Sequence, residues 1–375
     1  MTAWVAASAE RIAARAQPEL EALVAVSSPS GDVEGAEACV QVCERLVPAA
    51  ARTERVACSS PDHAPDLVAR LTGTGERRLL LLGHLDTVVA HAEHRSIERD
   101  GERLIGSGTV DMKGGDVLAL GVLRALEARR ADFAEVALLL VCDEEWRTAP
   151  FGHVERFGGW DACLCFEAGE RTADGGEGIV VRRKAAGTVR ITAHGRAAHS
   201  GAAPDRGRNA LLALAAAAQA VAARHDPAGP AHLTAVPTIL ESGAAFNVVP
   251  DTGVLYCDIR ADDLTAVQSV VATVPEAIDG VTLEPKVIRL WPGMDSEAAT
   301  AALLERSTAA LGRPVVGVAR GGASDASHFA GAIALTVDGL GPRGGLAHHP
   351  GEFVLVQALH SRAEVALAVV DAALA

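Results

Sequence analysis

The run Leu79-Leu80-Leu81-Leu82, followed by Gly83-His84-Leu85-Asp86-Thr87-Val88, constrains this chain more than any other stretch. Four consecutive leucines lack the alternation of a strand with one wet face. They read as a strand buried on both faces, as in a sheet covered by helices. The apolar run stops at Gly83, and polar residues follow. Polar side chains just past the carboxyl end of a buried strand stand where open α/β sheets place their ligands. His84 could bind a metal there, with Asp86 holding the other ring nitrogen and orienting the imidazole. A histidine in a turn beside an N-capping aspartate accounts for the motif equally well, so the rest of the chain has to decide.

The pattern recurs. Residues 135–142 form a second apolar run, Val136-Ala137-Leu138-Leu139-Leu140-Val141, which ends in Asp143-Glu144-Glu145. Adjacent carboxylates repel one another unless a cation or protons offset the charge; a solvated acidic turn is the ordinary alternative. Residues 160–166 form a third run, which ends in Glu167. Between the first two lies Gly106-Ser107-Gly108-Thr109-Val110-Asp111-Met112-Lys113-Gly114-Gly115, a Gly-rich loop opening a helix over 115–129 with Leu118, Val122 and Leu126 four apart. The loop has neither the Rossmann nor the Walker spacing of a phosphate cradle. Alone, Asp111 is an ordinary helix cap; the glycines also let the backbone turn it toward the cleft of His84. Three buried strands thus end in potential ligands (His84, Glu145, Glu167), and a loop adds Asp111. His348 and His349, in a Gly-rich loop over 339–349 that follows a strand at 333–337, bring imidazoles to the same rim. An adjacent histidine pair on a loop is commonly just surface, but here a fifth ligand is wanted.

With 375 residues, 49% of them hydrophobic, the chain exceeds most single cores and reads as two domains. The net charge of −14 argues against a nucleic-acid or anionic-membrane partner. No apolar run approaches a membrane span. The first twenty residues read as an amphipathic helix, not a signal peptide. Seven cysteines without a CxxC pair read as buried free thiols in a reducing cytosol. Helices are expected over 4–25 and 34–46, and strands over 67–71 and 78–82. Past the Gly-rich stretch 174–178 the pattern changes: strand alternation over 187–195, a helix over 210–224, strands over 233–240 and 253–260, and a helix over 264–278. This β-α-β-β-α-β-like block has its own core and interrupts the first domain. The first domain then resumes with a helix over 299–311, strands over 314–318 and 333–337 and a closing helix over 353–374.

Taken in order, Gly83-His84-Leu85-Asp86-Thr87-Val88, Gly108-Thr109-Val110-Asp111-Met112-Lys113-Gly114-Gly115, Asp143-Glu144-Glu145, Phe166-Glu167, Ala198-His199-Ser200-Gly201 and Ala347-His348-His349-Pro350-Gly351-Glu352 closely resemble the dinuclear zinc family of glutamate carboxypeptidase, aminoacylase, acetylornithine deacetylase and succinyl-diaminopimelate desuccinylase. The wording around His199, with Asn209-Ala210-Leu211 following, is nearest the glutamate carboxypeptidase branch. The resemblance implies an α/β fold: a mixed-sheet catalytic domain with helices on both faces (1–185 and 291–375), interrupted by a smaller ferredoxin-like α+β lid and dimerisation domain (186–290). It implies that Asp111 bridges two metals, that His84 and Glu167 complete one site and that Glu145 and His348 complete the other. Asp86 stands behind His84, Glu144 is the general base, His199 on the lid stabilises the oxyanion, and Asn247 and Arg260 hold the substrate carboxylate. The partners implied are a second copy of the chain, joined through the lid, and a small N-acyl amino acid, short peptide or conjugate.

The residue types suit that chemistry. Two Zn²⁺, or Co²⁺ or Mn²⁺ in their place, share a water and lower its pKa from about 15.7 toward 7; oxygen and nitrogen ligands with open positions suit a catalytic site; and Glu144 can take a proton from the water and pass it to the leaving amine. In such a family a glutamate at 167 goes with deacylases and carboxypeptidases. Three departures stand out. Trp146-Arg147 follows Glu145 where a small residue is common, and threatens to crowd the second metal site. Ala168 replaces a frequent proline. His328 has no counterpart role and reads as structural. The other reading is a non-catalytic relative that binds acylated amino acids or acts through its dimer surface.

Overall fold

The computed structural model describes residues 1–375, which divide into two compact units. The first comprises Met1–Arg182, Asp295–Ala319 and Ser324–Ala375; the second comprises Arg183–Met294 with Arg320–Ala323.

The first unit is built on a six-stranded mixed sheet in the order Arg52–Val56, Asp66–Thr72, Phe133–Val141, Arg77–His84, Ala162–Cys165, Leu335–Val337. The leucine strand lies centrally, parallel to both of its neighbours. Leu79 and Leu81 join the main core, Leu80 and Leu82 lie outside that cluster, and all four are fully buried. Two covered faces are what an unbroken leucine run requires. The helices Ala3–Val24, Gly114–Ala125 and Val356–Leu374 pack on one another, and the short helix Ala326–Ala330 packs on the strands Ala162–Cys165 and Leu335–Val337. Register decides where the polar ends fall. His84 pairs with Val141 and Leu82 with Cys165, so the strands stop in step and deliver His84, the 143–145 turn and Glu167 to one rim.

The second unit carries a five-stranded antiparallel sheet in the order Thr234–Ser242, Thr252–Ala261, Ala185–His194, Val281–Trp291, Ala277–Ile278. With the helices Ala210–Ala222 and Leu264–Val271 it runs β-α-β-β-α-β, the ferredoxin-like order. Alternate residues Ala185, Val189, Ile191 and Ala193 are buried in a core of their own.

Three segments differ from the sequence expectation. Val281–Trp291 is a long strand that periodicity does not reveal, because Pro285 interrupts its alternation and a bulge shifts its register opposite Thr188 and Val189. The helix expected over 264–278 stops at Val271, and Ala277–Ile278 is extended. The closing helix begins at Val356; Phe353–Leu355 pairs with Arg103–Ile105 instead.

Two glycines shape the loop before the helix Gly114–Ala125. Gly108 has φ of 74°, the left-handed region that an L side chain avoids. A Cβ on Gly115 would overlap the carbonyl oxygen of Phe166, so only glycine lets the helix approach the strand end that carries Glu167. Inside a helix, Gly→Ala ordinarily stabilises by about 1 kcal/mol. Gly115→Ala is expected to reverse that sign and to cost about 1–3 kcal/mol through overpacking, read as a lowered midpoint in thermal unfolding.

Candidate active site

The rim assembles five of the residues singled out above. The carboxylate of Asp111 reaches two imidazoles: Oδ1 is 3.1 Å from His84 Nε2, and Oδ2 is 3.1 Å from His348 Nε2. Glu167 Oε1 lies 3.7 Å from His84 Nε2, and Glu145 Oε1 lies 3.3 Å from His348 Nε2. The ligand atoms of His84, Asp111 and Glu167 all fall within 4.8 Å of one another, as do those of Asp111, Glu145 and His348. Tetrahedral ligands about 2 Å from a zinc ion stand about 3.3 Å apart. The four contacts given above, from 3.1 to 3.7 Å, lie around that value, and both triads share Asp111. Nitrogen and oxygen donors of this kind fit divalent transition metals.

The electrostatics point the same way. Burial opposes charge on His84, yet hydrogen bonds to Asp111 and Asp86 outweigh it and raise its pKa well above the usual imidazole value. His348, half exposed, is pushed up to about 11 by hydrogen bonds to Asp111 and Glu145. Against burial, the same two histidines hold Asp111 well below the usual carboxylate range. Burial raises Glu144 well above its ordinary value, with Asp325, Glu145 and Glu167 adding repulsion. This rim selects for positive charge.

Asp86 does more than the sequence suggests. The Nδ1 of His84 bonds to the backbone carbonyl of Asp86 at 3.0 Å and lies 3.4 Å from its carboxylate. That carboxylate, fully buried, accepts the N–H groups of Glu144 at 3.1 Å and Glu145 at 3.0 Å. A single residue therefore orients the imidazole, chiefly through its backbone carbonyl, and pins the acidic turn through its carboxylate.

Glu352 closes the His348 motif in the sequence, which gives no sign of its contacts. Its buried carboxylate accepts the N–H groups of Gly108, Val110 and Asp111 at 2.9, 2.7 and 2.9 Å, tying the His348 loop to the Asp111 loop. Burial pushes it up to about 7, the three donors notwithstanding. Of the adjacent histidines, His348 faces the cluster, while Nδ1 of His349 accepts the Gly351 N–H at 3.0 Å in its own turn. Arg147 does not crowd Glu145: its side chain turns into a buried pair with Asp143 and Asp325, and Trp146 is exposed. His328 is stacked on Phe151 at 4.7 Å between ring centroids, and burial lowers it to about 4.

His199, Asn247 and Arg260 belong to the second unit. His199 is exposed, and its Nδ1 accepts the N–H groups of Gly201 and Ala202 at 3.1 and 3.2 Å. An Nδ1 that accepts leaves the proton on Nε2. The carbonyl of Asn247 accepts the Ser200 N–H at 3.0 Å, so the two loops are neighbours. Arg260 is already engaged: Nε donates to Asp258 at 2.9 Å and Nη1 to the Gly321 carbonyl at 3.1 Å.

The architecture recurs among solved structures. A tripeptidase from Staphylococcus aureus superimposes with a TM-score of 0.78 at 20% identity, covering 96% of this chain and 98% of that one. The M20 family metallo-carboxypeptidase Sso-CP2 from Sulfolobus solfataricus gives 0.75 at 15% identity, covering 96% and 99%. In sequence, carboxypeptidase G2 from Pseudomonas sp. (strain RS-16) is 29% identical over 252 residues, 64% of this chain and 58% of that protein. A succinyl-diaminopimelate desuccinylase from Methylorubrum extorquens is 33% identical over 265 residues, 64% of this chain and 66% of that protein. The chain thus spans less than two thirds of either relative's length. The family model described as peptidase family M20/M25/M40 matches residues 80–372, a stretch that takes in every residue of the two ligand triads, and the chain belongs to that family.

Proposed function

We propose that this chain is a metal-dependent amidohydrolase that releases a free amino acid from an N-acyl amino acid, or a C-terminal residue from a short peptide or conjugate. The observation that carries the reading is the pair of ligand triads sharing Asp111, with Glu144 on the turn that presents Glu145. His84, Asp111 and Glu167 would hold one Zn²⁺, and Asp111, Glu145 and His348 a second, with Co²⁺ or Mn²⁺ as substitutes. When bound, such ions supply the Lewis acidity that makes water a nucleophile near neutral pH.

The chain's own groups do the rest. Glu144, on the turn that presents Glu145, takes a proton from the attacking water and hands it to the departing nitrogen. His199 offers an Nε2–H donor to the oxyanion, a contribution worth about 3 kcal/mol in comparable sites. Arg260, through its remaining Nη2, and Asn247 receive the substrate carboxylate; planar guanidinium and carboxylate are geometric complements. The names of the two sequence relatives, a carboxypeptidase and a desuccinylase, support a carboxylate-bearing substrate. A non-catalytic relative is disfavoured because every ligand and the base are present.

We also read the molecule as a homodimer joined through the second unit. Its edge strand Thr234–Ser242 exposes Val236, Ile239 and Leu240, and the helix packed against that strand exposes Leu211 and Leu212. An open strand edge beside apolar side chains invites a second copy. Seven free thiols support a reducing compartment and hence the cytoplasm. No helix is long and apolar enough to cross a membrane.

Glu144→Ala is expected to lower kcat by about 10²–10⁴-fold while the protein still carries two metals; wild-type turnover would refute the mechanism. Elemental analysis of protein purified without chelator should give two transition-metal ions per chain, falling toward one in His348→Ala, and chelation should abolish a release that zinc, cobalt or manganese restores. Substrates for these assays come from a release screen over N-acetyl, N-succinyl, N-formyl and glutamyl-conjugated amino acids. Ile239→Lys should shift the mass measured by light scattering from dimer to monomer.

A further inference from the structure

The buried ion pair behind the acidic turn has no place in the mechanism so far. Arg147 is 3% exposed, Asp143 fully buried and Asp325 4% exposed. The guanidinium donates from Nη1 and Nη2 to the two oxygens of Asp325 at 2.6 and 2.8 Å, and from Nε and Nη2 to Asp143 Oδ1 at 3.2 and 2.8 Å. It also lies 4.6 Å above the Phe151 ring, which stacks on His328. The second oxygen of Asp143 accepts the N–H and hydroxyl of Ser60 at 2.9 and 2.7 Å. Asp143 and Arg147 flank Glu144 and Glu145 in sequence, and Asp325 comes from a loop 178 residues beyond Arg147.

We infer that Arg147 is the positioning residue of the base: its bidentate grip on Asp325 and its bond to Asp143 lock the 143–147 turn in the orientation that presents Glu144 to the metal cluster. This rests on the reading of Glu144 as base. Asp86 holds the turn from one side through the Glu144 and Glu145 N–H groups, and Arg147 holds its far end. The guanidinium also offsets two carboxylates that would otherwise face each other, uncompensated, in a water-poor interior beside Glu144. Without it, Asp143 and Asp325 separate or admit water, and the turn shifts. A displacement of about 1 Å in a catalytic group is enough to lose about 10²-fold in rate. Lysine keeps the charge but lacks the planar fork.

The test is a double-mutant cycle on zinc-loaded protein with the best substrate of the release screen, using R147M, D325N and R147M/D325N, with R147K beside it. R147M is expected to lose about 100-fold in kcat with KM changed less than threefold and two zinc ions per chain retained. R147K should recover about tenfold of that loss, and the double variant should be more active than R147M, since removing one carboxylate relieves the exposed charge. If R147M does not fold, R147K alone decides: about a tenfold loss of kcat supports the clamp. Wild-type kcat in R147M or R147K overturns the inference. So does strict additivity in the cycle, or a zinc content that falls to one, which would mean that Arg147 serves the ligand Glu145 and not the base. Activity surviving in Glu144→Ala would instead sink the reading of the base, a result distinguishable from all of these.

Discussion

Carboxylates crowd the rim of the first unit, and the structure depends on how their charge is held. Asp86, Asp111, Glu144, Glu145 and Glu167 converge there with two imidazoles, and Asp143 and Asp325 lie just behind. In a low-dielectric setting such a gathering flies apart unless each oxygen finds a donor or a cation. The molecule answers in layers. Backbone N–H groups serve the carboxylates that must stay fixed: those of Glu144 and Glu145 serve Asp86, and those of Gly108, Val110 and Asp111 serve Glu352. Arg147 serves the pair behind the turn. What remains facing the cleft is the set that could hold metal ions.

This division braces the site without sealing it. His84 is buried and held at both ring nitrogens, whereas His348 is half exposed on a loop. The shared ligand, Asp111, sits on a segment fixed from below by Gly108 and Gly115 and from the side by Glu352. Of the clustered residues, Glu145 is held through its N–H by Asp86 and Asp111 through its N–H by Glu352, both far away in the chain.

Much of this was legible in the residues. The leucine run announced a doubly covered strand, and repetition of apolar strand followed by acidic or imidazole terminus named His84, Glu145 and Glu167 as one set. The ferredoxin-like block could be read from alternation and from the alanine-rich helix. Legibility failed where a local signal was broken or absent. Pro285 hid the strand Val281–Trp291, and the three residues before the closing helix carry no mark of their strand pairing. Glu352 and Arg147 gave no sign of their roles. A glutamate near a histidine and an arginine after an acidic turn are ordinary surface motifs, and the crowding expected from Arg147 did not occur because its side chain turns inward to Asp325.

Sequence alone determined most of the strands and helices at the core, that polar groups cap three of those strands, and the family in which such motifs occur together. These properties are local: they follow from side-chain periodicity and from what a buried backbone tolerates. Only the tertiary structure decided how near Asp111 stands to the two imidazoles, that Asp86 carries the acidic turn, and that Asp143, Arg147 and Asp325 form one buried bridge. Each of these is a distance between residues far apart in the chain. Such distances are set by strand register and by loop closure over a shared core, quantities that no stretch of sequence encodes by itself.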